Sequence, residues 1–204
     1  MCAPLRAHSA PRFPAADYAS ILDRRTVTAT TYSGVPLAEL STVPRAATLT
    51  LLARRIDAEL HPGAQIEDAV AGLRVDGGKR GQNSAPYGWQ RDGKRIACKG
   101  AQLTWDKSKR YWTLQFSNVK LAHGDVPAAF DELLLAAYTP RCVYLYRHDL
   151  RLGVSTAGKE TAARGHQIAV RGPSGESDWA AAFACIQGKL DEGGCERLAV
   201  VQWD

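Results

Sequence analysis

The sequence predicts a single α/β domain in which helices flank one mixed sheet. Stretches with helical spacing of apolar residues alternate along the chain with short runs of β-forming residues. A chain of 204 residues, 45% of them hydrophobic and 23% charged, can bury one sizeable core. No apolar run approaches the length that spans a bilayer, so we expect no membrane segment.

The beginning of the chain differs in composition from the rest. Residues 1–16 contain three prolines and two arginines but no acid. An acid-poor start is typical of a transit peptide, whereas the prolines oppose an amphipathic helix. We therefore expect an N-terminal arm and lead-in segment over residues 1–42, followed by a single domain over residues 43–204.

Helices are expected where apolar residues recur at intervals of three and four. The clearest is 43–60, which the turn residues 61–63 end. The same reasoning gives a short helix near 18–25, a helical turn or two at 65–71, a helix over 127–138 and a capped helix over 178–190. Strands are expected at 85–91, 94–103, 111–117, 142–146, 166–171 and 198–201. The order is helix, three-stranded meander, helix and strand, with a small C-terminal helix and strand as an extension.

The stretch APYGWQRDGKRIACKG, residues 85–100, predicts a β-hairpin. Asp92 and Gly93 lie between two alternating runs, and a two-residue type I′ turn needs positive φ at both of its central positions. Such a turn pairs residue 91 with 94 and, further along, Gly88 with Ala97. Because side chains alternate across a strand, Ala97 and Lys99 share one face. Positions 88, 97 and 99 are therefore expected to converge.

Charge is unevenly distributed along the chain. The net charge is +5, but residues 79–120 hold ten basic residues against two acids, which is +8 over 42 residues and leaves 5 − 8 = −3 elsewhere. Cations neutralise phosphates and the interleaved aromatic rings can stack on bases, so this stretch predicts a surface for nucleic acid, with DNA as the expected partner. The alternative is a solvated sheet face with lysines along its edges. The candidate contacts are Lys79, Arg80, Arg91, Lys94, Arg95, Lys107, Lys109 and Arg110.

The element order and the hairpin motif resemble the PD-(D/E)xK nuclease superfamily, which has the restriction-endonuclease-like fold. Pro86-Tyr87 on one strand and Lys99 on the next carry the resemblance, which covers roughly residues 45–147. Aligned on them, the family's Asp falls at Gly88 and its Glu at Ala97, while its Lys falls on Lys99. Gln102 matches a glutamine often found after that Lys.

The departures from the family pattern concern its metal site. In the family, two carboxylates hold Mg²⁺, which generates the hydroxide nucleophile. Gly88 and Ala97 offer no side-chain oxygen, so Lys99 and Gln102 form a remnant catalytic site with no metal ligand. We expect a nucleic-acid-binding pseudoenzyme without a cofactor. Mg²⁺ would be bound only if the two motif carboxylates were present or were supplied by other residues.

Two other functions stay open. An active Mg²⁺-dependent nuclease would need relocated ligands, for which the candidates are Asp92, Glu59, Glu67 and Asp106. Asp92 would lie about 10 Å from the ligand position, and a turn residue is the simpler interpretation. A protein-interaction module would instead use the basic stretch to bind an acidic partner.

The cysteines and histidines give a prediction about compartment. Cysteines at positions 2, 98, 142, 185 and 195 lack CxxC spacing, and the five histidines lack HxxxH spacing. We expect neither a disulfide framework nor a structural zinc site. This favours a reducing intracellular compartment, cytoplasmic or nuclear, with an organelle as the alternative.

Overall fold

The chain folds around two β-sheets. A computed structural model describes residues 10–22, 42–68, 87–122, 128–150 and 165–203. The helices are α1 (Ala19–Leu22), preceded by a 3-10 turn over Ala15–Tyr18, α2 (Thr42–Leu60) and α3 (Trp179–Glu192). The strands are β1 (Arg12–Pro14), β2 (Ile66–Asp68), β3 (Trp89–Arg91), β4 (Lys94–Gln102), β5 (Thr104–Asp106), β6 (Tyr111–Val119), β7 (Glu132–Tyr138), β8 (Cys142–His148), β9 (His166–Arg171) and β10 (Cys195–Gln202).

The main sheet is mixed and has the strand order β1-β10-β8-β7-β4-β3-β2. β4 and β7 run parallel at its centre, with Ile96 opposite Glu132 and Gln102 opposite Tyr138. β1 runs parallel to β10, and the remaining neighbours are antiparallel. The predicted α/β class with a large mixed sheet is confirmed.

A second, antiparallel sheet has the order β5-β6-β9. β5 continues β4 after Leu103, whose N–H donates to the carbonyl of Tyr138 at 2.8 Å, and the chain thereby passes from one sheet to the other. The prediction of one sheet is therefore wrong. The first two strands of the predicted meander form a hairpin in the main sheet, whereas the third, β6, belongs to the second sheet.

The predicted helix over 127–138 is also wrong, since residues 132–138 form the central strand β7. Its apolar residues do match helical spacing, but Leu135 and Ala136 fill the gaps in that stripe, and every residue from Leu133 to Tyr138 is buried. A strand covered on both faces is a continuous apolar run. Such a run has no periodicity that distinguishes it from a buried helix.

The other predicted helices have mixed outcomes. The helices expected at 43–60 and 178–190 are confirmed as α2 and α3, and Asp178 caps α3 by accepting from two backbone N–H groups. The short helix expected near 18–25 is confirmed over 19–22, and its remainder lies outside the described residues. The helical turn expected at 65–71 is wrong over 66–68, because these residues pair with β3 as the edge strand β2.

Each face of the main sheet carries its own hydrophobic cluster. Residues of β7 alternate between them: Leu133 and Leu135 pack with α3 and the second sheet, whereas Leu134 and Ala136 pack with α1 and α2. We call these the α3 side and the α2 side. This alternation assigns each β4 side chain to one of the two covered faces.

Both ends of the described chain belong to the main sheet. Within the segment expected to be an arm, β1 pairs with β10, and Tyr18 and Leu22 are buried on the α2 side. The C-terminal strand β10 lies between β1 and β8, so it is part of the main sheet rather than an extension.

The cysteine prediction needs one correction. Cys98, Cys142 and Cys195 have free thiols, but Cys185 of α3 is disulfide-bonded. The expected reducing compartment rested partly on the absence of disulfides, so it stays a prediction. Among the described residues, no helix is long and apolar enough to cross a membrane.

Candidate nucleic-acid interface

The predicted hairpin forms, and its register is as predicted between the turn and the Trp89–Ile96 pair. Asp92 has φ of +50° and Gly93 of +77°, as a type I′ turn requires. Trp89 pairs with Ile96 and Arg91 with Lys94. Asp92 also accepts a hydrogen bond from the backbone N–H of Gln65 at 2.9 Å, which ties the turn to the start of β2. The interpretation of Asp92 as a turn residue agrees with these contacts.

The register changes at Gly88, one residue before β3. Its N–H donates to the carbonyl of Ile96 at 2.8 Å, although Ile96 is already paired with Trp89. Two residues of one strand thus face one residue of the other, which is a β-bulge. A Cβ built on Gly88 would lie 3.4 Å from the Cγ2 of Thr50 in α2. A side chain at position 88 would therefore point to the α2 side.

Ala97 and Lys99 face the other way. Ala97 is 2% exposed and packs in the α3-side cluster, and Lys99 shares its face by strand alternation. The expected convergence of positions 88, 97 and 99 is therefore wrong, because the bulge turns position 88 toward α2. Gln102, three residues after Lys99, lies on the α2 side by the same alternation.

Lys99 is half-buried, and no hydrogen bond or ion pair joins its ammonium to another described residue. Burial lowers the pKa of this ammonium, the nearby Cys98 opposes that shift and the cation of Lys120 adds to it. Lys99 thus lies in a poorly solvated part of the α3 side.

A buried ionic network lies on the α2 side of the hairpin, and it includes a predicted phosphate contact. Arg91, only 7% exposed, donates from one amino group to Asp57 and from the other to Glu132, the latter at 2.7 Å. Asp57 is completely buried and also accepts from the indole N–H of Trp89 at 2.8 Å. The prediction of Arg91 as a nucleic-acid contact is wrong, because its guanidinium is enclosed between two carboxylates.

His61 completes the network at the end of α2. Its Nδ1 lies 2.9 Å from the backbone carbonyl of Asp57 and 3.3 Å from a carboxylate oxygen of the same residue. Sequence spacing could have indicated this contact, since His61 follows Asp57 by one helical turn. Arg91 shares a strand face with the core residue Trp89, and that was the available signal for its burial.

The candidate relocated metal ligands are all engaged elsewhere. Glu59 accepts from the hydroxyl of Tyr18 at 2.7 Å and from Arg55 at 3.0 Å. Glu67 lies on the edge strand β2 and accepts from Gln65. Asp92 and Asp106 hold turns at opposite ends of the β4–β5 path. Among the described residues, no three His, Cys, Asp or Glu side chains are grouped to hold a metal ion.

The remaining predicted phosphate contacts lie at two separate places. Lys94 is exposed at the hairpin turn, and Arg95 beside it is paired with Asp131 through both carboxylate oxygens, at 3.0 and 2.8 Å. Lys107, Lys109 and Arg110 lie at the other end of the β4–β5 path, after about 40 Å of extended chain. Lys79 and Arg80 lie outside the described residues.

The turn between β5 and β6 carries the most concentrated positive charge. We call residues 107–110 the basic turn; all four are exposed, and three of them, Lys107, Lys109 and Arg110, are basic. Asp106 fixes the backbone by accepting from the N–H groups of Ser108 and Lys109, at 3.0 and 3.1 Å, and from the Ser108 hydroxyl. These hydrogen bonds lower the pKa of the Asp106 carboxyl. Arg110 has φ of +55°, so the turn has a defined conformation.

Two basic residues that the sequence did not single out lie beside the basic turn. Arg171, at the end of β9, holds its guanidinium 5.5 Å from the ring centre of Tyr111. Lys189 of α3 donates to the backbone carbonyl of Arg171 at 2.7 Å. The loop after β9 also reaches the turn, since Gly175 donates to the carbonyl of Arg110 at 2.6 Å.

Trp89 and Trp112, two of the aromatic residues interleaved with the basic stretch, are core residues. Trp89 is completely buried, and Trp112 is 7% exposed with its indole N–H donated to the carbonyl of Ser177. Trp105 lies opposite Trp112 in the second sheet, with ring centres 5.6 Å apart, and it packs against the same cluster. Trp105 and Trp112 therefore pack on the core-facing side of the second sheet, whereas Trp89 packs on the α2 side of the main sheet.

Comparison with known proteins does not assign the chain to a family. No family model matches the sequence, and neither a curated protein nor a solved structure matches it significantly.

Proposed function

We propose that this chain is a nucleic-acid-binding domain, with DNA as the expected ligand, and that the basic turn is its principal phosphate contact. The observation that carries the proposal is the exposure of Lys107, Lys109 and Arg110 on a turn whose backbone Asp106 already fixes. Exposed cations neutralise phosphates and release counterions. A turn that is ordered before binding loses less entropy on binding.

We propose further that the domain does not hydrolyse its ligand and that it is a degenerate member of the PD-(D/E)xK superfamily. The proposed membership rests on the sequence resemblance at Pro86-Tyr87 and Lys99. The support for inactivity is that Ala97 presents a methyl group beside Lys99 and that Gly88 has no side chain. A two-carboxylate Mg²⁺ site cannot be built from these positions. Relocated ligands find less support, because the candidate carboxylates already hold turns or pair with neighbouring side chains.

Salt-dependent binding tests this function directly. Affinity for labelled DNA and RNA oligonucleotides is measured by fluorescence anisotropy over a range of salt concentrations. The logarithm of the affinity should fall linearly with the logarithm of salt concentration. The double variant Lys107→Ala/Lys109→Ala should weaken binding and reduce the slope by about 1.8 on duplex DNA, if each lysine contacts one phosphate.

A matched control comes from the opposite end of the β4–β5 path. The double variant Lys94→Ala/Arg95→Ala removes the same charge at the hairpin turn, so a short oligonucleotide that occupies the basic turn should not detect it. Equal losses in the two variants would mean that net charge alone drives binding. Polyglutamate that competes as well as DNA, with no loss in the turn variant, would favour the acidic protein partner instead.

A further inference from the structure

The outward face of the second sheet carries an aromatic ring next to the basic turn. Trp105 and Trp112 point to the core, so their neighbours along β5 and β6, including Tyr111, point outward. Tyr111 is half-buried, and Thr104 and Arg171 beside it are exposed. This end of the sheet therefore combines polar and aromatic side chains at the surface.

Tyr111 and Arg171 form a defined pair on this face. The guanidinium of Arg171 lies 5.5 Å from the centre of the tyrosine ring, a distance at which cation–π attraction holds it over the ring. The backbone of Arg171 is fixed as well, because it pairs with Thr113 and accepts from Lys189 at 2.7 Å. Tyrosine rings and guanidinium planes both stack on nucleobases.

Cations surround this pair on two sides. Lys109 and Arg110 belong to the basic turn that directly precedes Tyr111, Lys189 of α3 contacts the Arg171 carbonyl, and all three cations are exposed. Two carboxylates lie in the neighbouring turns: Glu176 accepts from the backbone N–H of Asp178, and Asp106 accepts from that of Lys109 and lies 3.8 Å from the Lys109 ammonium. Three cations therefore exceed two carboxylates around the pair. The surface thus matches a chain of phosphates that carries accessible bases.

We propose that Tyr111 and Arg171 form a stacking platform for a base of single-stranded nucleic acid, with phosphates held by Lys109, Arg110 and Lys189. This inference rests on the proposed function and specifies its ligand. A duplex keeps its base faces stacked inside, so it can use the cations but not the platform. An unpaired strand can use both, because every base has a π-face.

Two variants that leave net charge unchanged test the platform. Tyr111→Leu removes the ring, and Arg171→Lys keeps the charge but removes the planar guanidinium. Each should lower affinity for a labelled single-stranded oligonucleotide about 5- to 100-fold, with little change for duplex of the same sequence and no change in salt slope. Tyr111→Phe, which keeps the ring, should bind as the unmodified protein does. If Tyr111→Leu does not fold, the single-strand affinity of Arg171→Lys alone tests the stacking platform.

The outcomes distinguish failure of the stacking platform from failure of the proposed nucleic-acid-binding function. Unchanged single-strand affinity in both variants, or equal losses on single strands and duplexes, would overturn the platform while leaving the basic turn intact. No binding of either form by the unmodified protein would overturn the proposed function and the platform together.

Discussion

The indole N–H of Trp89 donates to the carboxylate of Asp57 at 2.8 Å, and both residues are completely buried. The same carboxylate accepts from Arg91, which bridges to Glu132 at the start of β7. Helix α2, the hairpin and the central strand β7 thus meet at one buried ionic network. The charge of Arg91 stabilises this junction rather than serving a ligand.

Asp57→Ala should strongly destabilise the fold. Removing one partner of a buried pair leaves the other charge uncompensated, which costs about 3–5 kcal/mol. Urea unfolding followed by circular dichroism measures the change. Asp131→Ala is the matched control, since it breaks the exposed pair with Arg95, and solvent screens that interaction. Similar losses in the two variants would show that the network around Asp57 adds little to stability.

A pair of glycine substitutions tests the backbone of the hairpin. Gly93 has φ of +77° and open space around its Cβ position, so Gly93→Ala should destabilise the protein by about 1–2 kcal/mol through backbone strain alone. Gly188 lies inside α3, also with open space, and Gly188→Ala should stabilise by about 0.5–1 kcal/mol. Thermal unfolding of both variants measures whether each substitution lowers or raises the free energy of unfolding. A neutral Gly93→Ala would contradict the type I′ turn.

The parts of the fold that sequence could predict are those fixed by local rules. Asp92-Gly93 determines the hairpin and its register, and the stripe from Leu49 to Leu60 determines α2. β7 was mistaken for a helix because Leu135 and Ala136 are buried on opposite faces of the sheet by elements that are distant in sequence, α3 with the second sheet on one face and α2 on the other. The bulge at Gly88 has the same origin, since it depends on a carbonyl of the partner strand.

The sequence predicted the candidate site only in part, because the contacts that decide it come from residues distant in sequence, as they do for β7 and Gly88. Exposure decides whether a basic residue can bind a phosphate, and exposure depends on tertiary contacts. Arg91 and Lys94 are close in sequence, yet one is enclosed by Asp57 and the other is solvated. Arg171 approaches Tyr111 only through pairing of β6 with β9, which no local pattern predicts.

His148 should make the protein less stable in mild acid. Its side chain is buried, which lowers the pKa of the imidazole, and the carboxylate of Asp149 at 3.8 Å opposes that shift. Nδ1 accepts from the N–H of Leu150 at 2.9 Å, so the neutral ring is the bound form. Below about pH 6.5 the unfolded chain binds a proton that the folded chain does not. Stability is therefore full above this pH and is lost as pH falls toward the folded pKa.

Comparison with His148→Asn isolates this contribution, because an amide oxygen can replace Nδ1 as the acceptor but does not titrate. The free energy of unfolding of the unmodified protein, minus that of the variant, should fall below pH 6.5 by at most about 1.4 kcal/mol per pH unit. Urea titrations between neutral and mildly acidic pH measure this difference. A difference that does not change with pH would mean that His148 has the same pKa in the folded and unfolded chains.

The last prediction concerns cleavage. The unmodified chain should not cut DNA or RNA with Mg²⁺ or Mn²⁺, because neither Ala97 nor Gly88 can bind a metal ion through a side chain. Ala97→Glu/Gly88→Asp should also remain inactive, although it supplies both acids of the PD-(D/E)xK motif. Position 88 points toward Thr50 on the α2 side, whereas position 97 lies with Lys99 on the α3 side, so the new carboxylates would be separated by the sheet. Gel assays with supercoiled plasmid and labelled RNA measure both proteins, and intact folding of the variant is checked by its unfolding transition. Metal-dependent cutting by the double variant, lost on adding Lys99→Ala, would show that the strand rearranges and would support the family resemblance over the present geometry.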